Sequence, residues 1–190
     1  MTDSPVRRPG SCFLWGFILI LAVFAADQYS KWFVMETMLK TQQVVPTFQD
    51  WFLTFHKSSA TDMIANGYKT IMLYPHLNII MVWNKGISFG LLQNGSRIMT
   101  MAFIGISLFL SMAMIIWLAI SRNALVSFAL ALVTGGAVGN LVDRVRFGAV
   151  ADFIDFYVGD WHWPAFNVAD SAIVLGAFVL ILHTLFAKEA

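Results

Sequence analysis

The chain has 190 residues, of which 58% are hydrophobic and only 12% charged, with a mean hydropathy of +0.71 and a net charge of +1. Soluble domains carry about 25% charged residues, so this composition makes lipid the main solvent, and the near-neutral balance leaves no electrostatic footprint for nucleic acid. A single cysteine, Cys12, excludes an internal disulfide, and there is no Cys/His pattern for zinc, so neither a metal nor a cofactor is expected.

A membrane helix needs about 20 mostly apolar residues, and four segments meet that length. The first covers about 12–33. It is apolar as far as Ala26 and then turns polar at Asp27, Gln28 and Lys31. Arg7 and Arg8 with Val23-Phe24-Ala25 also fit a cleavable signal peptide. Asp27, Ser30 and Lys31 continue an amphipathic helix beyond that point, which favours a retained span. Residues 34–97 then form a long polar stretch. Within it 77–84 is rich in β-formers and reads as a strand. Lys85-Gly86 turns the chain, and 87–92 is expected to return as a partner strand. Residues 42–69 show no clear period. The second span, 98–120, holds no charge. The third, 124–142, is rich in small residues. Residues 145–167 make a second extramembrane stretch, whose Phe156, Tyr157, Trp161 and Trp163 suit a headgroup-level aromatic belt. The fourth span, 168–187, carries Asp170 near its start and His183 near its end. No internal repeat is present, and the whole chain, 1–190, is expected to form a single membrane domain.

Four spans place both termini on one side. Of the 12 basic residues, Arg7, Arg8, Arg122 and Lys188 lie on the terminal side in short flanks. The other eight spread through the long polar stretches. Charge bias is read over short flanks, so the termini are expected in the cytoplasm. Asp27, Lys31, Asn140, Asp143, Arg144 and Asp170 then gather at one outer face. Charges at the ends of spans are costly and mark function.

In the third span Gly135 and Gly139 form a small-xxx-small pair that admits a close helix neighbour. Asn140, Asp143 and Arg144 stand at i, i+3 and i+4 on one helix face. Asp143 beside Arg144 also reads as a paired carboxylate anchoring a helix end. Asp152, in Val150-Ala151-Asp152-Phe153, also reads as an ordinary loop carboxylate. Asp170 also reads as a helix cap, a position Asn167 fills equally well. Spacing leaves the choice among these aspartates open. A pair of them suits peptide hydrolysis. Two close carboxylates share one proton, so one takes a proton from water while the other donates to the scissile carbonyl.

Five stretches resemble the bacterial lipoprotein signal peptidases, or signal peptidase II, an aspartyl peptidase family. They are Asp27-Gln28-Tyr29-Ser30-Lys31, Asn84-Lys85-Gly86-Ile87-Ser88-Phe89-Gly90, the run from Gly135 through Asn140 to Asp143-Arg144, Val150-Ala151-Asp152-Phe153, and Phe166-Asn167-Val168-Ala169-Asp170-Ser171. The resemblance implies four transmembrane helices with a small periplasmic β-sheet cradle in an inner-membrane protein. It implies Asp152 and Asp170 as the catalytic dyad. It makes Asn84, Asn140, Arg144 and Asn167 substrate-binding, and Asp27, Lys31 and Asp143 structural. The substrates it implies are prolipoproteins with a diacylglyceryl cysteine, cut just before that cysteine in contact with membrane lipid. The inhibitors it implies are of the globomycin type. Two departures stand out. Ser88 replaces the family's usual alanine, and 41–74 is longer than the usual link between first helix and cradle, so it is expected to extend the cradle, form a lid or stay mobile.

Two rival readings differ in class. Gly86-Ile87-Ser88-Phe89-Gly90 also matches the serine nucleophile elbow, which requires a strand–turn–helix setting and a histidine base. His183 falls at the wrong face for that, and His56, His76 and His162 lack motif support. Acidic residues in four spans also suit an ion-coupled transporter subunit, but transport sites lie near mid-membrane, not at one face.

Overall fold

A computed structural model describes residues 9–40, 44–54, 68–86 and 97–186. Helix α1 spans Pro9–Trp32 and passes directly into a π-helical segment, Phe33–Leu39. The first span therefore reaches Leu39, beyond the expected end near residue 33. The wider turns carry Val34, Met35 and Leu39 into apolar clusters of the cradle, where all three are buried. Burial of this face outweighs the poorer geometry of the π-turn. Glu36 is buried there too and pairs with Lys40 at 2.6 Å.

The long link contains a short helix, α2 (Phe48–Leu53), and an edge strand, β1 (Ile71–Tyr74). Helix α2 starts at Thr47, whose Oγ1 accepts the Asp50 N–H at 3.1 Å, as an N-cap does. It buries Trp51 against Met35, Phe147 and Ala151. Among the expected outcomes for this link, its described parts extend the cradle.

Strand β2 (Leu77–Asn84) forms where β-formers predict it. The expected return strand at 87–92 lies outside the described residues. Strands β3 (Val150–Val158) and β4 (Trp161–His162) complete one antiparallel sheet in the order β1-β2-β3-β4. Periodicity alone assigns no strand at 150–158. There Val150, Ala151, Asp152 and Phe153 are all buried, so the apolar/polar alternation that signals a half-buried strand is missing. Opposite residues across β2 and β3 include Asn84 with Val150, Val82 with Asp152 and Asn78 with Asp155. Trp161 and Trp163 pack edge to face at 5.9 Å and stay about half exposed.

The other long helices are α3 (Arg97–Ile120), α4 (Ala124–Phe147) and α5 (Val168–Phe186). Helix α4 lies at the centre, packed on α1, α3 and α5. Asn123 caps its start by accepting the Leu125 and Val126 N–H groups. Gly148, at φ 73°, ends it in the left-handed conformation that glycine adopts without strain. The helix extends past the expected end at 142, because Arg146 and Phe147 bury against the cradle. Helices α3 and α5 turn Ile98, Phe109, Val174 and Phe186 outward, as lipid-facing helices do.

Small residues set the helix spacing. Gly135 faces Ile20 and Val23 of α1, and Gly139 faces the Asp27 carboxylate. A Cβ at Gly136 would overlap the Ala169 carbonyl oxygen in the first turn of α5. Backbone cannot yield as a flexible side chain does. Gly136→Val is expected to displace α5 and lower the thermal unfolding midpoint in detergent by several degrees, an overpacking cost of about 1–3 kcal/mol. An unchanged midpoint would contradict this packing.

Candidate active site

Asp152 lies on β3 with its side chain buried. Its Oδ1 accepts from Asn167 Nδ2 at 2.7 Å and its Oδ2 from Asn84 Nδ2 at 3.1 Å. Asn84 ends β2, and its own Oδ1 accepts the Gly86 N–H at 3.1 Å, which fixes the amide's orientation. Asp170 lies in the first turn of α5. Asn167 Oδ1 accepts the Asp170 N–H at 2.9 Å, and Asp170 Oδ2 accepts the Asn167 N–H at 3.2 Å. This is a reciprocal capping box, so both residues that sequence proposed as caps serve in it. Asp170 Oδ1 takes a further bond from Asn140 Nδ2 at 2.8 Å.

Asn167 is thus hydrogen-bonded to both carboxylates. Its Nδ2 also lies 3.2 Å from Asn140 Oδ1 and 3.3 Å from the Ala151 carbonyl. The backbone makes the same junction. Phe166 exchanges hydrogen bonds of 2.9 and 3.1 Å with Ile154 of β3, so the lead-in to α5 runs as a bridge beside the strand that carries Asp152.

Burial pushes the Asp152 carboxyl up to about 7, with the Asp170 charge as the second cause. The amides of Asn84 and Asn167 and the cation of Lys31 oppose that rise without cancelling it. At neutral pH one member of the pair is poised to hold a proton, as acid–base chemistry requires.

Behind the pair sits a fully buried triad. Lys31 Nζ lies 2.7 Å from Asp27 Oδ2 and 2.8 Å from Asp143 Oδ2. Asp27 Oδ1 accepts the Ala169 N–H at 3.0 Å, and Asp143 Oδ2 accepts the Ala151 N–H at 3.1 Å. The residues flanking the two site aspartates are therefore tethered to one ion cluster. Lys31 also reaches Asn140 Oδ1 at 3.4 Å. Arg144 lies over the Phe103 ring, 5.5 Å from its centre, within electrostatic reach of Asp143, Asp170 and Asp152.

Asp27, Lys31, Asn84, Asn140, Asp143, Arg144, Asp152, Asn167 and Asp170 lie together here, and two further residues were missed in the sequence. Gln28 Nε2 donates to Asp143 Oδ1 at 2.9 Å and lies 3.1 Å from Asp27 Oδ2. Gln28 Oε1 accepts from Arg146 Nη1 at 3.3 Å. Arg146 also donates to the Trp51 carbonyl and lies 4.2 Å from the Trp51 ring centre. In sequence Arg146 falls beyond the expected end of the third span at 142, among the basic residues of the polar stretches. Its i+3 spacing from Asp143 is the signal that places it on the site's face.

The described histidines of the serine reading are engaged away from the two aspartates. His162 pairs with Asp155 at 2.8 Å, His76 with the Tyr157 carbonyl at 3.1 Å and His183 with Asn123 at 3.0 Å. Ser88 and His56 lie outside the described residues. Among the described residues no group of three His, Cys, Asp or Glu side chains is arranged to hold a metal ion.

Comparison with known proteins identifies the family. The family described as signal peptidase (SPase) II matches residues 19–186. The lipoprotein signal peptidase of Serratia marcescens is 37% identical over 166 residues, covering 87% of this chain and 82% of its own. That of Anaplasma phagocytophilum is 42% identical over 140 residues, covering 68% and 87%. A solved structure titled as a bacterial membrane enzyme superposes with a TM-score of 0.67 at 25% identity, covering 92% of this chain and 91% of the other. With four helices among the described residues long and apolar enough to cross a membrane, the protein is a multi-pass membrane peptidase that belongs to the signal peptidase II family.

Proposed function

We propose that this protein removes signal peptides from diacylglyceryl-modified bacterial prolipoproteins, cutting just before the modified cysteine, with Asp152 and Asp170 as an aspartyl dyad. The observation that carries this reading is the pair itself. Two carboxylates from different elements share the Asn167 clamp, and one is pushed up to about 7. Asp152 is the acid and Asp170 the base. The Asp170 carboxylate takes a proton from a water, whose oxygen bonds to the scissile carbonyl carbon. Asp152 gives its proton to the carbonyl oxygen, forming a gem-diol. On collapse a diol hydroxyl returns its proton to Asp152, the C–N bond breaks, and Asp170 delivers its proton to the leaving nitrogen. Both groups regain their starting states with one water consumed.

Asn84, Asn140, Asn167 and Arg144 border the dyad and supply donors for the extended substrate. Asp27, Lys31 and Asp143 hold the flanking backbone. The dyad lies at the periplasmic face of the inner membrane with both termini cytoplasmic, in keeping with the charge bias of the short flanks. Inhibitors of the globomycin type act by occupying the substrate's place beside the dyad.

The test is cleavage by the pure protein in detergent. A diacylglyceryl-modified prolipoprotein is expected to yield one cut, located by mass spectrometry before the modified cysteine, and the unmodified precursor none. Cleavage of both, or of neither, would sink the substrate assignment. Activity requires Asp152 protonated, so the initial rate at saturating substrate should hold below pH 7. Above it, the rate should fall about tenfold per pH unit. The midpoint belongs to the coupled pair. A rate still rising at pH 8.5 would reverse the acid and base roles.

A further inference from the structure

Beneath Asn140 and Arg144 a cavity of about 280 Å³ runs down between α3, α4 and α5. Its upper wall is continuous with the site, since Asn140 bonds Asp170. Lower down it is lined by Ser107, Ser111, Ala137 and Ile173. Ser111 is 4% exposed, and among the described residues its hydroxyl has no hydrogen-bond partner. Several other hydroxyls on the spans turn back to the chain three or four residues before them. Thr134 donates to the Leu130 carbonyl at 2.7 Å and Thr184 to the Leu180 carbonyl at 2.9 Å. Ser111 instead keeps its donor for the cavity.

We infer that this cavity receives the last helical turn of the substrate's signal peptide, and that Ser111 donates to one of that turn's free carbonyls; the inference rests on the peptidase reading above. The scissile segment must be extended to reach the dyad, so the signal helix ends below it. A helix ends with four carbonyls that lack partners, and in lipid each needs a donor. Val133 lines the same cavity, seven residues before Asn140 on α4. At 1.5 Å per residue that is about 10 Å deeper, the depth of a helix end feeding an extended stretch. An acyl chain offers only methylenes there, because its ester oxygens stay beside the cysteine. The diacylglyceryl group finds a better site on the outer side of α5. A groove of about 450 Å³ there runs down from Asp170 along Val174, Leu175 and Phe178, with apolar side chains below the first turn.

The experiment compares wild type, Ser111→Ala and Ser111→Thr in detergent on the modified prolipoprotein. Ser111→Ala is expected to raise KM about fivefold, the worth of one neutral hydrogen bond. Its thermal midpoint should be unchanged, since the hydroxyl supports nothing within the fold. Ser111→Thr keeps the hydroxyl and should recover most of the affinity. A photoreactive residue six to eight positions before the cleaved bond, bound to Asp152→Asn, should crosslink to α3 near Ser111. If wild type cuts but Ser111→Ala keeps the wild-type KM, or if a photoreactive acyl chain labels α3 instead, the inference is overturned. If wild type leaves the substrate intact, the peptidase reading fails first and takes this inference with it.

Discussion

Asp152→Asn and Asp170→Asn are each expected to cut at least about 10³ times more slowly than wild type, the order of effect for removing a positioned acid or base. Both should stay folded. Asparagine at 152 keeps an oxygen to accept the Asn167 Nδ2 bond. Asparagine at 170 keeps one to accept the Asn167 N–H. What each loses is the proton it holds or takes. Asp143→Asn is the control of matched chemistry. Its oxygens meet Lys31, Gln28 and the Ala151 N–H, so it is expected to weaken the site's support while retaining some turnover. The measurement is a gel-shift time course with a thermal scan of each variant. Near wild-type cleavage by Asp152→Asn would remove it from the dyad and make Asp143 the partner to test.

The second large effect is on stability. Lys31→Met is expected to cost about 3–5 kcal/mol, the range for breaking a buried ion pair on one side. Lys31 is fully enclosed with Asp27 and Asp143, so its removal leaves two carboxylates facing each other without water. The thermal midpoint in detergent should drop steeply, or the protein should fail to purify. Combining Asp27→Asn, Lys31→Met and Asp143→Asn should recover much of the loss, because a neutral cluster carries no uncompensated charge. A single Lys31→Met variant as stable as wild type would show that the triad contributes nothing to the fold.

The fold was legible wherever lipid is the solvent. A charge-free run such as 98–120 has one stable outcome in a bilayer, and α3 spans Arg97–Ile120. Element ends were less legible. Phe33–Leu39 continues the first span because cradle residues distant in sequence cover it. Strand β2 announced itself, but its partner β3 lies beyond two membrane helices, and no local pattern encodes so distant a pairing. For the site, convergence at one face followed from the polar ends of three spans. The choice of Asp152 and Asp170 came from the resemblance, not from spacing. Gln28 and Arg146 went unread because Gln28 bonds both Arg146 and Asp143 across the bundle, contacts only the folded chain creates.

The buried triad also bears on how the protein is made. Asp27 enters the membrane early in synthesis, yet the backbone N–H it binds belongs to Ala169, 142 residues later. Gln28 waits 115 residues for Asp143. Until then the polar end of α1 sits among lipids with its charges unmatched to the rest of the bundle, a state that favours staying beside the insertion machinery over free diffusion. Arrival of α5 closes the cluster and, by the same docking, brings Asp170 to Asp152. Under the proposed mechanism the nascent chain has no assembled dyad while it is being threaded past other signal sequences, and proteolytic competence would begin only when the last helix is seated.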